Sequence, residues 1–123
     1  MSDTAYSIQA IVYQTLTAAL SPTPVYDHVP QDNPPLHVRI GEDSATPDNT
    51  KNVNGSEHIV EVNVYSNKRG FAETKQTMKK IYQALHRQRL YLSGVPVLPQ
   101  FEFSEVFAEP DGSRGITRFR IQT

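Results

Sequence analysis

The stretch from Val25 to Asp43, reading VYDHVPQDNPPLHVRIGED, most constrains how this chain can fold. A short apolar piece, able to make only a brief strand, ends at Pro30. Pro30, Pro34 and Pro35 then crowd together with Asp32 and Asn33. Proline presets φ and lacks a backbone donor, while Asp and Asn side chains bond their own backbone, so this segment must turn. From Leu36 the pattern alternates. Leu36, Val38 and Ile40 take one face of a strand, and His37, Arg39 and Gly41 take the other. Such two-residue periodicity marks a half-buried strand whose polar face meets solvent or a partner.

The flanking segments fit around that strand. Ile8, Ile11, Val12, Leu16, Ala19 and Leu20 recur at helical spacing, which predicts a core-packing helix from Thr4 to Leu20, stopped by Ser21-Pro22. Residues 43 to 56, DSATPDNTKNVNGS, have no periodicity and read as a long polar loop, of a kind that is functional or mobile in small domains. Val60, Val62 and Val64 alternate with Ile59, Glu61, Asn63 and Tyr65, predicting a strand antiparallel to the preceding one. A second helix carries Phe71, Thr74, Met78, Ile81, Tyr82 and Leu85 as its apolar stripe, with Lys75, Lys79, Lys80, Gln83 and Arg87 opposite.

Leu90 to Pro99 is broken by Gly94, Pro96 and Pro99 and has no single reading. Phe101, Phe103 and Phe107 then alternate as a strand, with Glu105 on their face. Pro110-Asp111-Gly112-Ser113 is a turn. Thr117, Phe119 and Ile121, alternating with Arg118 and Arg120, close an antiparallel hairpin. The expected fold class is α+β: one domain over residues 1–123, with a small, mostly antiparallel or mixed sheet packed against two helices in the order α-β-β-β-α-β-β.

Composition excludes several functions. Twelve basic and thirteen acidic residues in a chain of 123 nearly cancel, which removes the counterion-release drive toward nucleic acid or an anionic membrane. No cysteine is present, so disulfides, thiolate catalysis and sulfur-ligated metals are ruled out. No stretch approaches the roughly 20 apolar residues that span a bilayer, and the N-terminus has no signal-peptide pattern, so synthesis in the cytoplasm is expected.

No motif carries chemistry. His28 and His37 flank the proline turn near Asp27 and Asp32, and neighbouring strands could bring His37 to His58, but no histidine pair has HxH or HxxxH spacing. Neither GxGxxG nor GxxxxGK[ST] occurs, and no nucleophile sits in an elbow. No enzyme activity and no cofactor are expected. The cations Lys75, Lys79, Lys80 and Arg87 leave a small nucleic-acid-binding module as the alternative function, although a solvated helix surface is the commoner explanation for such scattered cations.

Four pieces, in this order, resemble the tail-completion or tail-terminator family of long-tailed bacteriophages and gene transfer agents: VYDHVPQDNPPLHVRIG, HIVEVNVYS, the Gly70-anchored helix ending in Ala84-Leu85, and DGSRGITRFRI. His37 departs from the pattern, standing where family members often carry an aromatic residue. The resemblance implies a structural subunit that forms a hexameric ring on the head-proximal end of a tail tube, stops tube polymerisation and joins head-completion (neck) proteins. Its implied partners are copies of itself, the tube protein and the neck protein. DNA would cross the lumen without specific binding, and no membrane is involved. The implied destination is a phage or gene-transfer-agent tail. Loop residues Asp48, Asn49, Lys51 and Asn52 are the first candidate contacts, because polar loops gain order at partners. His37, Arg39, Lys68 and Arg69 follow, as polar groups beside a strand or a helix entry.

Overall fold

The computed structural model describes the backbone of residues 2–47 and 56–123 and the side chains of residues 8–41 and 57–123. Helix α1 spans Ser2–Leu20. Ile8, Val12, Leu16 and Leu20, four residues apart, lie on one face and are all at most 2% exposed. Ala19, grouped with them by spacing, is exposed. The helix stops where proline removes the next donor, and Thr23 N–H donates to Leu20 O at 2.7 Å.

β1, Val25–Tyr26, lies parallel to β2, Leu36–Pro47, with Val25 opposite Val38 and Tyr26 opposite Arg39. The proline segment is therefore a crossover that brings two parallel strands side by side. β2 is antiparallel to β3, Ser56–Ser66, as expected. Both strands run further than the apolar alternation does. Register pairs continue from Asp43 opposite Val60 to Pro47 opposite Ser56, past a shift between Ile40 and Asp43. Backbone ladder bonds do not require apolar side chains, so residues 43–47 and Ser56 are strand although their composition reads as loop.

Helix α2, Ala72–Leu85, buries Thr74, Thr77, Met78, Ile81 and Leu85. Phe71 and Tyr82, expected on that stripe, are 37% and 40% exposed, while Thr77 takes a place in it. The broken segment after α2 resolves into a hairpin of β4, Leu90–Leu92, and β5, Val95–Val97. Its two-residue turn, Ser93-Gly94, has positive φ at both positions, which matches the right-handed twist of the flanking strands.

β6, Gln100–Glu109, and β7, Gly112–Gln122, form the closing antiparallel hairpin. The five-stranded sheet has the order β1-β2-β3-β7-β6. One sheet face, bearing Val38, Ile40, Val60, Val62, Val64, Phe119 and Ile121, meets α1 and α2 in a single core. A register shift between Phe101 and Phe103 breaks the expected alternation of β6. Phe101 lies opposite Phe119 on the core face, whereas Phe103, Glu105 and Phe107 lie opposite Arg118, Ile116 and Arg114 on the other.

Candidate functional site

Both helices pack on one side of the sheet, so its other face is the broadest feature the fold leaves uncovered. Alternation puts Arg114, Arg118 and Arg120 of β7 there, between the even-spaced acids of β3 and the aromatics of β6. Arg114 Nη2 donates to Asn63 Oδ1 at 3.0 Å, and its guanidinium lies 5.3 Å from the Tyr65 ring and 5.7 Å from the Phe107 ring. Arg118 Nη2 donates to Glu61 Oε2 at 3.1 Å and covers Phe103 at 5.3 Å. Arg120 pairs with Glu57 at 3.5 Å and with Glu102 at 3.3 Å. Arg118 and Arg120 are thus paired with acids, and Arg114 and Arg118 lie over aromatic rings. The face is a mixed-charge platform suited to protein contact, and its arginines are already engaged.

His37 belongs to this layer. It is 7% exposed, stacked on Tyr65 at 4.9 Å and set edge-on to Tyr26 at 6.1 Å, with Nδ1 2.9 Å from Pro34 O. Expected to face outward as a contact, it instead packs within the chain as an aromatic ring would. Arg39, opposite Asn63, is partly buried on the same face. Lys68 and Arg69 are exposed in the connection to α2. Lys68 Nζ reaches Glu73 Oε2 at 3.4 Å, and Ser66 Oγ donates to Glu73 Oε1 at 2.6 Å while accepting from Lys68 N–H at 3.1 Å. The Ser66 hydrogen bond, ahead of those from Lys68, holds the Glu73 carboxyl below its ordinary range. The carboxylate also sits in the first turn of α2, where negative charge offsets the helix dipole. Asp48, Asn49, Lys51 and Asn52 lie outside the described residues.

The remaining sequence candidates stay apart. His37 lies opposite Tyr65, near one end of β3, and His58 is buried near the other, opposite Ala45 and Ile121. His86 Nδ1 accepts from Phe101 N–H at 3.0 Å. Among the described residues no group of three or more His, Asp or Glu could hold a metal ion, and no helix is long and apolar enough to cross a membrane. Lys75, Lys79, Lys80 and Arg87 are all exposed. Lys75 lies 5.8 Å over the Phe71 ring.

The tail completion protein gp17 family model matches residues 10–123. The chain belongs to the tail-completion family. A chain from the virion of a native gene transfer agent particle has the same fold, with a TM-score of 0.77, 26% sequence identity and 97% of each chain covered. No curated protein matches in sequence. The tail-completion match runs from within α1 through the end of β7, so it takes in the whole sheet, α2 and the second half of α1. Periodicity in RGITRFR located β7 as a strand. The pairing of its arginines with β3 acids and β6 aromatics needed the register, which no local pattern encodes.

Proposed function

We propose that this chain is the subunit of a hexameric ring that caps the head-proximal end of a phage-like tail tube. There it terminates tube polymerisation and forms the joint to the head-completion proteins, with DNA passing through the lumen. The observation that carries the reading is the family match across residues 10–123, supported by the likeness to a chain of a gene transfer agent virion over 97% of both lengths. Nothing in such a role needs catalysis, and the engaged arginines suit a surface that DNA passes without being held. A ring needs two different patches per subunit that meet head to tail, and closure follows when the rotation per contact divides a full turn.

The contacts we propose within this assembly are Arg39, Lys68 and Arg69, together with Asp48, Asn49, Lys51 and Asn52. His37 supports the same face from inside by holding Tyr65 and the proline turn.

Light scattering and negative-stain microscopy of the purified chain, alone and with isolated tail tubes, test the reading. The expected result is a ring, free or seated on tube ends. A strict monomer that also fails to bind tubes would refute it. In the parent particle, deletion is expected to give overlong tails or tails without heads.

A further inference from the structure

The sheet ends at β6, and there the helical layer stops short. β6 pairs with β7 alone, and among the described residues its outer edge carries no strand. α2 sits over β7 instead, because Gly115 leaves room for Met78 and Thr74 to press onto the strand. Ser104, opposite Thr117 on the helix side of β6, is exposed, and a cleft of about 320 Å³ opens between α2 and β6. Lys75 and Lys79 stand along it with Tyr82, Phe101 and Val106. Thr117 lines it too, 1% exposed, with an Oγ1 that makes no hydrogen bond to the protein. A buried hydroxyl without a partner is costly, and this one lies where a neighbour could supply that partner.

The opposite margin of the sheet is also unfinished. β1 covers β2 only at Val38 and Arg39, so from Ile40 to Pro47 the outer edge of β2 carries no strand among the described residues. An unpaired edge is a template for another chain. The sequence of β6, QFEFSEVFAE, has no lysine or proline on that edge, and the charges and irregularity it does carry are Glu102, Glu105, Glu109 and the bulge between Phe101 and Phe103.

We propose that β6 of one copy pairs with the Ile40–Pro47 segment of β2 in a second copy, so that the sheet continues from subunit to subunit. The proposal rests on the ring reading and names the surfaces that build the ring. Direction favours it. β2 is antiparallel to β3, β3 to β7 and β7 to β6, so β2 and β6 run in opposite senses. A second copy displaced along the sheet, with its helices on the same side, therefore presents β2 antiparallel to β6. The contact joins two different patches and is head to tail, as a ring requires.

The charge that can meet the arriving stretch is on α2, since β6 itself carries Glu102, Glu105 and Glu109 and no basic residue. The arriving stretch, Gly41-Glu42-Asp43-Ser44-Ala45-Thr46-Pro47, is acidic and has no basic residue. In register Asp43 and Ala45 stand opposite Val60 and His58, and Lys75 and Lys79 border the cleft between α2 and β6. Glu105 of β6, opposite Ile116, belongs to the other face.

Hydrogen exchange on the full chain, as dilute monomer and as assembled ring, tests the contact. Amides of residues 100–109 and of residues 40–47 are expected to slow together by about tenfold or more on assembly, with β3 and β7 unchanged. K75E/K79E, at two exposed positions, is expected to weaken self-association about tenfold or more while leaving circular dichroism unchanged. Adding E42K/D43K to the same chain should restore association. Rings that form while residues 100–109 exchange as in the monomer overturn this contact and leave the ring reading intact. Protection of residues 100–109 by tail tubes, without protection of 40–47, assigns the edge to another protein and also overturns it. A monomer under every condition, tubes included, ends the ring reading itself.

Discussion

Gly115→Ala tests the packing of α2 on the sheet, because β7 passes beneath the helix at this residue. A Cβ there would stand 2.9 Å from Thr74 Cγ2 and 3.2 Å from Met78 Cγ, and closer still to Met78 Sδ. The two neighbours differ in how far they can yield. Thr74 is buried, and its Oγ1 lies 2.6 Å from Ser113 Oγ, so turning it away would break a buried hydrogen bond. Met78 is unbranched and can swing, at the expense of its packing. Overfilling of this kind costs about 1–3 kcal/mol.

Met78→Ala alone should cost roughly 2–5 kcal/mol by leaving a cavity. In the double variant the new methyl occupies part of that cavity, so the two costs should fall short of their sum by about 1 kcal/mol or more. Urea unfolding followed by circular dichroism, at concentrations where the chain is monomeric, measures all four corners of the cycle. A Gly115→Ala variant within about 0.5 kcal/mol of the parent, or strict additivity, would refute the argument that contact at Gly115 seats the helix.

Other expectations follow from named contacts. Phe119→Ala, at a side chain that is 0% exposed in the centre of the sheet, should cost about 3–5 kcal/mol in the same unfolding assay. Glu73 has a lowered pKa in the folded chain, so its contribution is fully present above the unfolded value and is lost as pH falls through the folded one. Ser66→Ala removes the first cause of that lowering, and stability should then fall less steeply on the acid side, by about 1 kcal/mol or less because Glu73 is partly exposed. A pH titration of Tm for both chains measures the difference. Arg118→Ala, whose side chain is 41% exposed, should change stability by less than about 1 kcal/mol. A larger loss in thermal melts would show that the arginine platform is structural.

Much of the fold could be read locally, and the misses share a cause. Strands β2, β3 and β7 were legible because alternation of Val and Ile with polar residues reports a two-sided surface directly. β6 was half legible: its aromatics alternate, but one extra residue at the bulge sends Phe101 into the core and Phe103 to the open face. Local periodicity contains no mark of such a shift, which arises from pairing with β7. The stripe of α2 erred at Phe71, which precedes the helix as its N-cap residue, and at Tyr82, because hydrophobicity does not say where a helix begins or where a sheet ends beneath it. Tyr82 lies beyond the core, stacked on His86 at 4.7 Å and edge-on to Phe101 at 5.3 Å.

The proline-rich stretch shows the same division. Its residues alone determined that the chain must turn between Val29 and Leu36 and then enter a strand with Leu36, Val38 and Ile40 inward, because proline geometry and side-chain period act over a few bonds. They also carried the family resemblance. Tertiary structure decided that the turn is a parallel crossover, that His37 is held between Tyr26 and Tyr65, and that the β7 arginines meet acids and rings. It also left β6 and the far half of β2 as open edges. Those outcomes depend on strand order and register, which are set by how distant segments share one core and not by any local pattern.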